Sequence, residues 1–405
     1  MNRFRSVLFW AHFACGTIAG VFIAVMCVTG TLLAFEKSIA DFVDRESVRV
    51  APPPDHSSPL GIREILRRVR DQNDDARPTA VTVSSDPAVA VRVDLGRDGT
   101  VFANPYSGEI HSANASVRSF FNAVEDWHRA LALGGDRRPI GRAITGAGNA
   151  AFLILALSGI YLWMPRRWSW SAFRSAISLR WRLAGRARDF NWHTTVGIWA
   201  SPILVVLTLT ALPMSYRWAN DALYHLVGST PPAAPTAEST PTIVPPSPDT
   251  RPLDPDALIT VAKTAVPGWE TITLRLRNAR RPEGSATGAP REVSRRGESA
   301  RGGNSRATTA AGLSVRAAHR WPLFSSVMLS VNPYTGEILQ QSDFATTETG
   351  RRWRSWARFL HTGEAFGLPG QMVAAAGTLG GIVLVVTGVA LACRRVFGRR
   401  QQTVP

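Results

Sequence analysis

The sequence predicts a mainly α-helical membrane protein: four transmembrane helices in two tandem repeats, with two small α+β domains outside the bilayer. Three observations predict it. Apolar blocks at 7–35, 144–164, 194–215 and 372–393 each supply about 20 residues, enough to cross a hydrocarbon core of about 30 Å. The short segments beside those blocks on one side are rich in arginine and nearly free of acids. Segments of the first half of the chain recur in the same order in the second.

Of the 405 residues, 45% are apolar and 19% charged, against about 25% charged in soluble domains. A wholly soluble globule and a disordered chain are both excluded, because the apolar residues are gathered into blocks. All three cysteines, Cys15, Cys27 and Cys393, lie in such blocks, which excludes a disulfide scaffold. The net charge of +16 has a topological origin. Arg3 and Arg5, seven arginines in the loop 165–190 and four after residue 393 face a single acid, Asp189. The positive-inside rule places these segments, and so both termini, in the cytoplasm and the two large loops outside. Trp10, Trp163, Trp168, Trp192 and Trp218 stand at block ends, where indoles favour the headgroup level. Nucleic acid is therefore not the expected partner; the bilayer is. The first block far exceeds the 7–15 apolar residues of a signal peptide and is expected to be retained.

The repeat is read by shifting the first block 181 residues: His12 falls on His193, Gly16 on Gly197, Gly20 on Ser201, and Thr29-Gly30 on Thr210-Ala211. The run Asn104-Pro105-Tyr106-Ser107-Gly108-Glu109-Ile110 recurs as Asn332-Pro333-Tyr334-Thr335-Gly336-Glu337-Ile338, and Ser158-Gly159 matches Thr387-Gly388. His128 and His361 each precede a span. The unit is span, external domain (36–127 and 256–345), histidine, span, with interfacial helices opening 128–164 and 346–393. In the first external region a helix at 62–69 precedes strands at 81–83, 89–93 and 100–103 and an Asn-Pro-Tyr-Ser-Gly turn. The second has a helix near 255–265 and strands near 271–276 and 327–331. It also carries an extended linker, 229–255, with nine prolines. A Gly-, Ser- and Arg-rich insertion, 278–309, is expected to be disordered; its arginines offer an anionic ligand a weaker alternative.

Ionisable groups at membrane depth mark function by default. His12 and His193 enter just inside the cytoplasmic face, and the glycines four residues on, Gly16 and Gly197, share their helical face. A flat ligand held by imidazole needs that face bare, and haem fits. Small-xxx-small helix packing explains the glycines alone. His128 and His361 form the second candidate pair, giving two bis-histidine haems, one near each face; incidental histidines on interfacial helices are the alternative. His225 competes at similar depth, but its repeat-mate is Asp44. His56, His111 and His319 are read as bystanders. No zinc-hydrolase motif, phosphate loop, nucleophile elbow or dinucleotide fingerprint occurs.

These residues resemble the PepSY-associated transmembrane helix family of bacterial inner-membrane proteins, over nearly the whole chain. The histidine–glycine spans, the two Asn-Pro-Tyr-(Ser/Thr)-Gly-Glu turns and the run from His361 to Gly370 carry the resemblance. It implies PepSY domains in the periplasm, haem b on His12, His193, His128 and His361, and reduction of ferric siderophores. The Arg-rich insertion and Ser201 depart from the pattern. The expected activity is electron transfer across the membrane to a ferric siderophore, releasing Fe(II). The electron donor is quinol or a separate reductase, because the cytoplasmic loop is too short for a flavin domain. The alternatives are a regulatory protein whose modules bind a peptide or protease, and a siderophore or haem permease, whose path a homodimer would enlarge.

Overall fold

The computed structural model describes residues 3–54, 58–164, 169–232, 242–247, 250–276 and 308–397. Its helices and strands follow in chain order as α1 (Arg3–Leu33), α2 (Glu36–Val43), α3 (Arg45–Val48), α4 (Ile62–Gln72), β1 (Ala80–Ser84), β2 (Val91–Asp94), β3 (Thr100–Ala103), β4 (Ile110–Ser112), α5 (Ala115–Ala130), α6 (Arg138–Trp163), α7 (Trp170–Ala176), α8 (Gly185–Ser215), α9 (Arg217–Leu226), β5 (Thr242–Ile243), α10 (Pro255–Ala265), β6 (Trp269–Arg275), β7 (Thr308–Thr309), β8 (Ala311–Ala317), β9 (Val327–Val331), β10 (Ile338–Ser342), α11 (Thr349–His361) and α12 (Gly367–Phe397).

Helices α1, α6, α8 and α12 carry the four apolar blocks and are long and apolar enough to cross a membrane. The protein is a membrane protein. The four form a ring in which α1 packs on α6 and α12, and α8 on the same two. Helices α1 and α8 therefore face each other across one diagonal. Small residues set the spacing, as expected where lipid offers no hydrophobic drive to associate. A Cβ on Gly381 of α12 would stand 2.6 Å from Cys27 Sγ, and one on Gly380 would stand 2.7 Å from Ala200 Cβ. The middle of the bundle is closed by Ile23, Cys27, Phe152, Ala156, Ala200 and Leu204.

At one end of the bundle sits a β-sheet module. Two separate α+β domains were expected, but the strands form one eight-stranded antiparallel sheet, in the order β10-β9-β8-β6-β1-β2-β3-β4. The junction is β1 with β6, paired from Ala80–Arg275 to Ser84–Thr271 and tied by a 2.8 Å bond between the Thr82 and Thr273 hydroxyls. Each set of four strands alone would expose an edge row of unpaired amides; joining them removes both inner edges. One apolar core serves both halves, with Ile65, Leu66 and Val69 of α4 and Leu258, Ile259 and Ala262 of α10 over Val81, Ile272, Leu313 and Val327. Asp256 of α10 caps α4 by accepting from the Ile62 and Arg63 amides. Replacing Ile272, which is fully buried, with alanine should cost about 2–5 kcal/mol; thermal unfolding in detergent followed by circular dichroism measures the loss.

Both Asn-Pro-Tyr turns fold alike. Asn104 and Asn332 accept from the two amides that follow the proline, and Gly108 and Gly336 close the turns at φ 73° and 75°. That left-handed backbone suits glycine. Strands β4, β8 and β10 go beyond the sequence expectation. Residues 278–307 of the expected insertion lie outside the described residues, as do 233–241 and 248–249 of the linker, while the insertion's last two residues form β7. Their flanks pair, since β5 joins β7. The expected domain boundary at 127/128 falls inside α5, because the amphipathic helix begins at Ala115.

Candidate functional site

A histidine inside a helical bundle loses hydration and must recover it through ring contacts. His12 on α1 places Nδ1 2.8 Å from Ser158 Oγ on α6. His193 on α8 does the same with Thr387 Oγ1 on α12, at 3.0 Å. Towards the sheet, His128 in the last turn of α5 has Nδ1 2.9 Å from Thr29 Oγ1 on α1. His361, which ends α11, is bound through Nδ1 to the Leu207 carbonyl of α8 at 2.9 Å.

These contacts fix the tautomer. Ser158, Thr387 and Thr29 each lie 2.6 Å from the carbonyl four residues back, and their hydroxyl protons are spent there. They can only accept from the imidazole, and so can the Leu207 carbonyl. Every ring therefore carries its proton on Nδ1 and its lone pair on Nε2, the arrangement a metal-ligating histidine requires. Burial pushes His128 down to about 4, with His361 and Arg129 adding to the shift and the Met26 carbonyl opposing it. Burial also lowers His361. Both rings are neutral at pH 7.

The histidines meet in pairs: His12 of α1 with His193 of α8, and His128 of α5, which packs on α1, with His361 of α11, which packs on α8. The rings of His12 and His193 have centroids 6.4 Å apart and planes at 86°; those of His128 and His361 are also 6.4 Å apart, with planes at 51°. Two imidazoles on opposite sides of one iron need this spacing: about 2.1 Å for each metal–nitrogen bond and about 1.1 Å from each nitrogen to its ring centre. Among the described residues no group of three or more His, Cys, Asp or Glu side chains could hold a bare ion. A metal held by one of these pairs would have two protein ligands and would need a macrocycle such as that of haem to complete its coordination. The donor set fits haem at both ends. Seventeen residues separate His12 from Thr29, so the pairs stand about 25 Å apart at 1.5 Å per helical residue, with the apolar plug between them.

The glycines that seat the rings are not the ones singled out by sequence. A Cβ would stand 3.3 Å from His128 Cε1 at Gly30, 3.5 Å from His12 Cε1 at Gly159 and 3.3 Å from His193 Cε1 at Gly388. Gly16 and Gly197 instead face Leu155 and Leu384 at ordinary contact distances of 3.6 and 3.4 Å, because the neighbouring helices interdigitate there. The signal is a dipeptide that the sequence shows only as a match between the halves: hydroxyl residue then glycine, in Thr29-Gly30, Ser158-Gly159 and Thr387-Gly388. The fourth site has Thr210-Ala211, and there the imidazole turns to a carbonyl instead. His225 lies on α9, His111 is on β4 beside Glu109 at 3.3 Å, and His319 adopts φ 60° in a loop. His56 lies outside the described residues.

The two ends differ in charge. At the end remote from the sheet, buried Asp189 sits between Arg188 and Arg394 at 2.9 and 3.2 Å, and Arg395 covers Phe9 and Trp10. Near the sheet, burial and the neighbouring Glu125 raise Glu36, Arg129 opposes, and Glu364 adds to the rise.

Fold and site define a class: a four-helix membrane bundle with a histidine pair at each end and a β-sheet module over one of them. The chain matches the family described as PepSY-associated TM region over residues 9–395, and it belongs to that family. No curated protein matches the chain.

Proposed function

We propose that the protein is a haem-containing inner-membrane reductase. It carries electrons across the bilayer to a periplasmic ferric siderophore and releases Fe(II). The observation that carries this reading is the pair of equal 6.4 Å ring separations at two depths, each with Nε2 as the free donor. Haem b bound there supplies reversible one-electron chemistry, which no side chain in the bundle offers. The chain orients the imidazoles through Nδ1, and the plug around Ile23 and Leu204 excludes water between the pairs. By the positive-inside rule the arginine-rich end is cytoplasmic, with both termini, and the sheet module is periplasmic. A ferric chelate of hard oxygen donors loosens on reduction to Fe(II), so one electron frees the metal. The donor is a quinol or a separate reductase. The chain is read as a duplicated unit, span–domain–histidine–span, with a PepSY domain in each half of the sheet. A closed plug disfavours a permease path.

Purified protein reduced with dithionite should show a b-type α-band, and pyridine haemochrome assay should count two haems per chain. Protein matured with ample haem that shows no such band would defeat the proposal. The hydroxyl anchors add a finer test. Ser158→Ala and Thr387→Ala should each weaken haem affinity by about 10–100-fold, the usual cost of losing a metal ligand's supporting partner; haem titration of the apoprotein measures it.

A further inference from the structure

The two halves of the sheet module differ in the hairpin that follows the second strand each contributes to the sheet. In the first half the β2–β3 connection is Leu95-Gly96-Arg97-Asp98-Gly99, short and without an aromatic residue. In the second half the β8–β9 connection holds Arg320-Trp321-Pro322-Leu323-Phe324. Phe324 stacks on Phe359 of α11, with centroids 4.1 Å apart and planes at 11°, which fixes the hairpin on the helix below. Trp321 and Leu323 are left outward, 63% and 43% exposed. Such exposure is costly in water for a chain that elsewhere seals its sheet core.

The hairpin stands where the bundle meets lipid. Leu323 Cδ1 lies 3.4 Å from where a Cβ on Gly367 would be, at the first residue of α12. Trp321 lies 6.0 Å from Phe366 by ring centroids. Beyond Gly367, Leu368, Met372 and Val373 are exposed apolar residues in the first turns of α12. The apolar block begins at 372, which puts Gly367 about 7 Å outside it at 1.5 Å per residue. The headgroup layer is roughly 5–8 Å thick on each side, so the tip of the hairpin lies at headgroup depth. Tryptophan prefers that depth, and Arg320, next in sequence to Trp321, is a cation of the kind that pairs with lipid phosphate.

We propose that the β8–β9 hairpin is a lipid anchor: Trp321 and Leu323 insert among the headgroups and hold the sheet module against the bilayer on one side only. The inference is independent of haem and of electron transfer.

The test uses the full chain in nanodiscs of phosphatidylcholine with one-quarter phosphatidylglycerol. Cys15 and Cys393 are replaced by serine, Cys27 being sealed in the bundle. An environment-sensitive fluorophore is attached at Leu323→Cys or, on the polar hairpin, at Asp98→Cys. The label at 323 should be quenched by headgroup-proximal spin-labelled lipid and shielded several-fold from aqueous iodide, with the label at 98 showing the reverse. Equal iodide quenching at both sites, with no response to the lipid quencher, would overturn the anchor and leave the patch as a docking surface for a soluble partner. A label that disturbs the hairpin does not leave the question open. In unlabelled chains and brominated lipid, Trp321→Phe should remove a lipid-quenched part of the tryptophan emission; an unchanged quenched fraction would equally refute the anchor.

Discussion

His193→Ala is expected to leave the purified protein with one haem per chain instead of two. The substitution removes one Nε2 donor of the pair that His193 forms with His12. The partner ring alone cannot hold the iron on both sides, and the hydroxyl of Thr387 loses the proton it accepts. The other pair lies about 25 Å away along α1, beyond the apolar plug, and its anchors on Thr29 and Leu207 are untouched. Its haem and its low-spin spectrum should persist. His361→Ala should give the mirror result, with the His12–His193 site retained. Haem quantified against protein, with circular dichroism to confirm folding, decides the matter. A folded His193→Ala protein that still holds two haems would show that this pair is not a ligand set.

The second large effect concerns flux rather than occupancy. Vesicles containing the protein, loaded with ferricyanide and exposed to external dithionite, should oxidise the dithionite far faster than protein-free vesicles. Any single alanine at His12, His193, His128 or His361 should return the rate to the leak of protein-free vesicles. Two centres in series must both be present, because removing either lengthens the gap to most of the bilayer's thickness. A variant lacking the sheet-end pair that still carried the full rate would mean that this pair is not on the route.

Much of this arrangement was legible in one dimension. The spans, the charge bias and the four matched histidines are signals of length, composition and position, and the structure brings the matched histidines together as two pairs. The joined sheet was not legible. Each half looks complete as a small α+β unit, and nothing local in Ala80–Ser84 or Trp269–Arg275 says that these strands will choose each other. Strand β8 escaped notice because its alternation, from Ala311 to Ala317, emerges directly from a Gly- and Arg-rich stretch. The anchors divide the same way. Thr29, Ser158 and Thr387 could have been found from the glycine that follows each of them. The Leu207 partner of His361 is a main-chain oxygen, and no side-chain pattern reports it.

Every facing pair takes one ring from before residue 184 and one from after it: His12 meets His193, and His128 meets His361. The sheet is stitched across the same divide. Cutting the chain in the basic loop should therefore yield fragments that are inert apart yet complementary when co-expressed. A polypeptide of half this length could form either histidine pair only by meeting a second copy of itself, so joining the halves in one chain ties each pair together at no cost in concentration.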